Sequence, residues 1–215
     1  MKIGVIGSGP VGRVLANGFL QEGYEVMLGS RTPSKDEVVK WKAENEKGLT
    51  GNFEETAAFA ELIVLAISGK ATINAIELSG KENFSGKIVM DATNPISDAP
   101  PVNAVLSFFT DLNQSFMEKL QALLPTAKFV KAFNSVGNAL MYKPDLNGQV
   151  PTMFICGNDA AAKETVKDIL QKFGWETEDM GMAEAARVIE PLCILWCIPG
   201  FLRNDWMHAF KILRK

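Results

Sequence analysis

Near the amino terminus, Gly7, Ser8, Gly9, Pro10, Val11 and Gly12 form a run with glycines at the first, third and sixth positions. That spacing suits a backbone that must approach a dinucleotide pyrophosphate. Gly7 permits a tight turn, Gly9 lets main chain come up to phosphate, and Gly12 lets the following helix pack closely on the preceding strand. A helix N-terminus placed there holds an anion through free N–H groups and its dipole. The context strengthens the motif, because an apolar strand precedes the glycines and an apolar-periodic helix follows them. Without that context the glycines would equally suit a structural turn.

A second constellation lies about 20 residues further on, where an NAD site places an acid against the ribose 2′-hydroxyl. Here the sequence carries Gly29, Ser30 and Arg31, with another cation at Lys35. A carboxylate would repel a 2′-phosphate, whereas a hydroxyl, a guanidinium and an ammonium bind one. The cofactor expected is therefore NADP(H). The competing view makes Arg31 and Lys35 ordinary solvated loop cations.

These groups need a scaffold, and strand-like and helix-like segments alternate in the βαβ manner. After the first unit, the pattern predicts a helix over 33–47, a strand near Leu49, a helix over 54–60 and a buried strand over 62–67. Further strands over 87–91 and 128–133 follow. In an open parallel sheet the ligand lies outside the carboxyl ends of the strands. Ser68, Asn94 with Pro95, and Asn134 are accordingly candidates for the cofactor crevice, with Ser68, Asn94 and Asn134 expected to point into it. Asn94-Pro95 is also a turn former, and Asn134 a candidate helix cap.

The alternation breaks after Ile96. Ser97 to Val102 continues neither a strand nor a helix, and Phe108 and Phe109 precede an amphipathic helix predicted over 112–124. The two phenylalanines could wall a flat acceptor or simply pack this excursion onto the body. After the segment Val150 to Gly157, a helix over 159–173, a strand over 175–180 and a last helical region from Ala183 complete the chain. The fold class expected is α/β, a Rossmann-type doubly wound parallel sheet with a small C-terminal helical extension. Residues 1–215 form one domain, in which 183–215 is a helical dimerisation segment.

Within that segment, Pro191 to Pro199 is apolar on every side, yet far shorter than the roughly 20 residues of a membrane span. Leu192, Ile194, Leu195, Trp196 and Ile198 cannot all face one small core, which predicts a homodimer. Cys193 and Cys197 lie one helical turn apart without further ligands, so they are taken as core residues and no metal site is expected. Arg187 and Glu190, three apart, are expected to pair on one helix face.

Composition limits the function classes. The chain has 215 residues, 47% hydrophobic and 22% charged, with a net charge of −3. That is enough for one sizeable core but not for a large separate substrate domain. No basic face suggests nucleic acid or an anionic membrane. Three cysteines and no evident leader suggest the cytoplasm.

The segments KIGVIGSGPVG, VMLGSRTPSK, IVLAIS, IVMDATNP, FVKAFNSVG and ARVIEPLCILW, in this order, resemble the NADPH-dependent F420 (deazaflavin) reductase family. The pattern is similar also to the cytosolic reductase domain of the six-transmembrane ferric reductases. The resemblance implies an NADP domain, dimerisation, and hydride exchange between NADP(H) and a flavin-like or deazaflavin ring. It implies 2′-phosphate contacts from Ser30, Arg31 and Lys35, a main-chain edge along the cofactor from Ala66 to Ser68, and a loop beside the nicotinamide from Asn134 to Asn138. Where archaeal deazaflavin reductases carry a histidine in that loop, this chain has Asn134.

The side chains available agree with that chemistry. Reduction of a carbonyl leaves an alkoxide that needs a positioned proton donor. The single histidine, His208, lies near the C-terminus and is expected on a helix surface, and neither Tyr24 nor Tyr142 has a lysine at short helical spacing. Lys70 and Lys131, near strand ends, remain candidates. Hydride transfer to a flavin-like ring needs only stacking and exclusion of water. No catalytic residue is assigned. A small-molecule redox acceptor is the expected partner; the alternatives are a non-enzymatic NADPH sensor and an imine or β-hydroxyacid reductase.

Overall fold

Strand residues with apolar side chains on both faces must be covered from both sides, and helices on each side of a parallel sheet are the usual solution. The computed structural model, which describes all 215 residues, has this arrangement. β1 (Lys2–Ile6), α1 (Pro10–Gln21), β2 (Glu25–Gly29), α2 (Asp36–Glu44), β3 (Leu49–Gly51) and α3 (Phe53–Phe59) form the first half. β4 (Leu62–Leu65), α4 (Gly69–Leu78), β5 (Ile88–Asp91), α5 (Phe116–Leu123) and β6 (Lys128–Lys131) form the second. The six strands are parallel in the order β3-β2-β1-β4-β5-β6. The chain thus winds outward in both directions from β1, and the crevice between β1 and β4 is the switch point where ligands bind.

Alternate residues of one strand serve opposite cores. Leu62 and Val64 join the layer under α1, with Leu15, Phe19 and Phe173. Ile63 and Leu65 join the layer under α3 and α5, with Ala57 and Leu120. Capping boxes at Asn52/Glu55 and Ser115/Glu118 start α3 and α5. α4, a helix that the alternation demands but that the sequence pattern leaves unmarked, returns the chain from β4 to β5.

β7 (Thr152–Ile155), α6 (Ala160–Lys172) and β8 (Glu176–Asp179) make a smaller parallel pair. It joins the main sheet through one antiparallel bridge, Lys131 N–H to the Cys156 carbonyl at 3.0 Å. α7 (Ala186–Ile189) and α8 (Leu192–Arg203) follow.

One expectation for the C-terminal region needs correction. The helical segment does not extend to residue 215: Asn204 adopts φ +56, a left-handed cap that ends α8. Residues 204–215 then run back as a tail, in which the Phe210 carbonyl accepts from Thr152 N–H and Lys211 pairs with Glu176. His208 is therefore on no helix. Its ring stacks on Trp196, with centroids 5.1 Å apart. Ala183–Arg203 forms a 21-residue helical run, long and apolar enough to cross a membrane by length and composition, although the nine apolar residues alone are not. In this structure its first turns are packed into protein, with Ile189 and Glu190 at 2% and 1% exposure.

The excursion after β5 is pinned by an antiparallel bridge between Ile96 and Phe108 and by Ser97 N–H to the Ser107 carbonyl at 2.8 Å. Phe109 stacks edge-on against Phe116, centroids 5.2 Å apart. Phe108 and Phe109 thus pack the excursion onto the body and do not line the cleft described next.

Candidate functional site

A cleft of about 740 Å³ opens along the carboxyl ends of β1, β2, β4 and β5. The glycine run contributes Gly7 to Val11, the end of β2 contributes Ser30 and Arg31, and Lys35 stands beyond them. Ala66 to Ser68 come from the end of β4 and Asn94 from beyond β5.

Each glycine meets a distinct steric demand. Gly7 has φ +122, and a Cβ there would collide with the Ala66 carbonyl. A Cβ on Gly12 would strike the Gly7 carbonyl, so Gly12 sets the approach of α1 to β1 without itself lining the cleft. At Gly9 a Cβ would meet nothing within 4 Å. That space belongs to the cleft. Gly9 precedes α1 with no side chain capping the helix and with Pro10 at its first turn. The amides of Val11 and Gly12 consequently have no partner within the chain and can bind an anion.

The β2 end is cationic and open. Ser30 is buried, and its Oγ receives hydrogen bonds from Ser8 Oγ at 3.2 Å and Thr32 N–H at 3.2 Å. Arg31 is exposed and makes no hydrogen bond or ion pair; Lys35 has only Glu37, at 3.9 Å. The one carboxylate that lines the cleft, Asp98, forms an ion pair with Lys70. Lys70, a candidate proton donor from the sequence, lines the cleft from α4; Ala71 and Asn74 on α4 and Phe53 on α3 are lining residues that no sequence motif marked.

The opposite end is built differently. Asn94 Nδ2 donates to the Asn134 carbonyl at 2.7 Å. Asn134 does not point into the cleft: it is 3% exposed, sits behind Asn94, and donates through Nδ2 to the Ile189 carbonyl at 2.8 Å. The turn that brings it there begins at Phe133, which has φ +62. Such backbone is strained for a bulky residue. Phe133 is held in place by packing against Phe173 and Trp175. Pro95 packs against Gly69 at the start of α4, and Asn138 begins a short 3₁₀ turn; neither lines the cleft.

Behind this end lies a buried charge cluster. Lys131 Nζ donates to Asp91 Oδ2 at 2.8 Å and to the Thr93 carbonyl at 2.9 Å, and forms an ion pair with Glu190 Oε1 at 3.1 Å. Burial opposes the charge on Lys131, but the attraction of Asp91 and Glu190 overcomes it and holds the pKa above the usual lysine value. Glu190 also accepts the N–H groups of Phe116 and Met117, both at 2.9 Å, at the start of α5. Arg187 and Glu190 therefore do not pair with each other. Arg187 bonds Glu118, with Nη2 to Oε1 at 2.6 Å, because each carboxylate meets a donor on an element remote in sequence. Burial pushes the Cys156 thiol up to about 12, and Cys193 is raised by its hydrogen bond with Cys197 and by burial. No group of three or more His, Cys, Asp or Glu side chains is placed to hold a metal ion.

Comparison with known proteins adds evidence independent of this geometry. Residues 2–95 match the family described as NADP oxidoreductase, coenzyme F420-dependent. The F420-dependent NADP reductase of Methanothermobacter marburgensis is 31% identical over 221 residues, covering 95% of this chain and 96% of that protein. The metalloreductase STEAP3 of Rattus norvegicus is also 31% identical, over 94% of this chain; the chain spans 39% of that protein's length. A solved structure from Arthrobacter sp. FB24, assigned to the F420-dependent NADP reductases, superposes with a TM-score of 0.92 at 33% identity, covering both chains completely.

Proposed function

Because this chain belongs to the family of coenzyme F420-dependent NADP oxidoreductases, we propose that it exchanges hydride between NADP(H), held in the cleft, and a flavin-like or deazaflavin ring. The chain is an NADP-dependent oxidoreductase; the acceptor and the roles of individual residues are the proposal. One observation carries it: Arg31, without a protein partner, and Lys35, with only a distant one, share a cleft with the glycine cradle and lie where a 2′-phosphate would reach them. The open volume at Gly9 and the free amides of α1 accommodate the pyrophosphate between the two ends. With the 2′-phosphate at Ser30, Arg31 and Lys35, the nicotinamide half extends past Ala66, Ile67 and Ser68 toward Asn94. Gly12 offers only its amide, and Pro95, Asn134 and Asn138 act from behind this surface.

When bound, the nicotinamide supplies or receives the hydride. The residues of the chain position it and exclude water. Of the side chains that could protonate an alkoxide, Lys131 is enclosed by three acceptors, Tyr142 donates to Glu22, and Lys70, which lines the cleft, is paired there with Asp98. His208 is stacked on Trp196. An acceptor ring that delocalises the incoming charge has no need of such a donor. NADPH oxidation measured against free flavins, deazaflavin, quinones and imines tests this directly. Turnover with a flavin or deazaflavin is expected; turnover with imines alone would overturn it.

We further propose that residues 1–215 act as one domain that pairs with a second copy. Val188, Leu195, Phe201 and Leu202 are 45–63% exposed on one apolar region of the last helices, and a twofold partner is the commonest cover for such a surface. Light scattering at micromolar concentration should give twice the monomer mass. A monodisperse monomer at high concentration would remove the dimer.

A further inference from the structure

We propose that Glu190 and Lys131 are positioning residues for the nicotinamide end of the cleft, locking the C-terminal helices against Asn94. The proposal rests on placing NADP(H) as above. Two routes connect Asn94 to the end of α7. Along the side chain, Asn94 donates to the Asn134 carbonyl, and Asn134 donates to the carbonyl of Ile189, the residue before Glu190. Along the backbone, Thr93 immediately precedes Asn94 and is gripped at both of its peptide groups. Its N–H donates to Asp91 Oδ1 at 2.9 Å, and its carbonyl accepts from Lys131 Nζ, which is itself tied to Glu190.

The chemistry of this cluster is unusual for a purely structural role. Burying one ammonium and two carboxylates carries a large desolvation cost, and apolar packing of similar volume often gives equal or better stability. The ion cluster supplies direction instead. Lys131 Nζ is hydrogen-bonded at the end of β5, to Asp91 and Thr93, and paired with Glu190 beyond α7, while both Glu190 oxygens receive N–H groups from the start of α5. A shift of α7 therefore moves Thr93 and Asn134 together, and with them the amide of Asn94. The Oδ1 atom of Asn134 is buried without a hydrogen-bond partner. Asn134 is thus held from its Nδ2 side alone, by the Ile189 carbonyl at 2.8 Å and more weakly by Asn94 Oδ1 at 3.4 Å, so a shift of the Ile189 carbonyl is passed to Asn94.

The test compares two ligands by calorimetric titration. NADP⁺ occupies the whole cleft, whereas 2′,5′-ADP lacks the nicotinamide half. Glu190→Gln keeps the side-chain volume but turns an NH₂ toward one of the two α5 amides. It should weaken NADP⁺ about tenfold, the scale of one lost charge-assisted hydrogen bond, and leave 2′,5′-ADP within about twofold. Combined with Asn94→Ala, it should weaken NADP⁺ no more than Asn94→Ala alone, because both act through one amide. Should Glu190→Gln not fold, Asn134→Ala cuts the side-chain route and should show the same selective loss. Equal loss of both ligands, full additivity with Asn94→Ala, or unchanged NADP⁺ affinity would each overturn the positioning role. Failure of 2′,5′-ADP to bind the unaltered protein would overturn the placement of the cofactor, and this proposal with it.

Discussion

The two ends of the cleft use the same kinds of charged residue in opposite ways. At the β2 end, Arg31 and Lys35 stand in solvent with their hydrogen-bonding capacity almost unused. Behind the β5 end, Lys131 has no exposed surface and is enclosed by the Thr93 carbonyl and two carboxylates. Unused bonding capacity is what lets a cation recognise a ligand, while a satisfied cation fixes the elements around it. The first arrangement is assembled from residues 30–35, whereas the second joins Asp91, Lys131 and Glu190 across a hundred residues of chain.

If that contrast is right, removing each cation should break a different property. Lys131→Met leaves two buried carboxylates without their shared cation and should destabilise the fold by about 3–5 kcal/mol. Urea denaturation measures this, and a loss below about 1 kcal/mol would show that the cluster relaxes or protonates at little cost. Arg31→Ala should leave stability almost unchanged. It should weaken NADPH by about 1.5–3 kcal/mol and spare NADH, because only the 2′-phosphate meets the guanidinium. Equal loss for both nucleotides would remove the contrast at the open end.

The glycines sharpen the same distinction between groups that face ligand and groups that face protein. Gly9→Val projects into empty cleft volume, so the fold should survive while both nucleotides lose roughly 1–3 kcal/mol, the scale of overfilling a packed space. Gly12→Val projects into the Gly7 carbonyl, so its melting temperature should fall as well. Thermal melts run beside nucleotide titrations separate the two. A Gly9→Val protein with normal NADPH affinity would place the pyrophosphate elsewhere.

This difference in chain separation also explains what could be read before the structure. The glycine run, Ser30, Arg31 and the apolar strands follow from local rules, namely a turn, a periodicity and a residue type at a fixed offset. Asn94 was legible as a strand-end polar residue for the same reason. The placement of Asn134 behind Asn94 was not, because it depends on the Phe133 turn and on a carbonyl 55 residues away. Helical spacing suggested a local Arg187–Glu190 pair, but both side chains found stronger partners on α5 and β6. α4 escaped notice because its apolar positions are diluted by Lys70, Asn74 and Glu77. The end of the helical region at Asn204 depended on a left-handed backbone at a residue other than glycine.

Between the open and sealed extremes stands the Arg187–Glu118 pair, which joins α7 to α5 with side chains 37% and 16% exposed. The Arg187 hydrogen bond, opposed by partial burial and assisted by Ser115, lowers the Glu118 pKa to about 2. A carboxyl whose pKa is depressed on folding contributes stability that is fully present above its unfolded value, near 4.3, and is lost as pH falls through the folded value. Stability should therefore decline between about pH 5 and pH 2, and Glu118→Gln should flatten part of that decline. Because the guanidinium is more than a third exposed, water screens the pair, and the difference at pH 7 should be only about 1 kcal/mol. This lies well below the loss expected at Lys131. Denaturation midpoints for both proteins at several pH values decide the matter. A Glu118→Gln protein with an unaltered acid limb would show that exposure of Arg187 already makes the pair behave like the open cations of the cleft, leaving the sealed cluster as the sole ionic fastening between the C-terminal helices and the body.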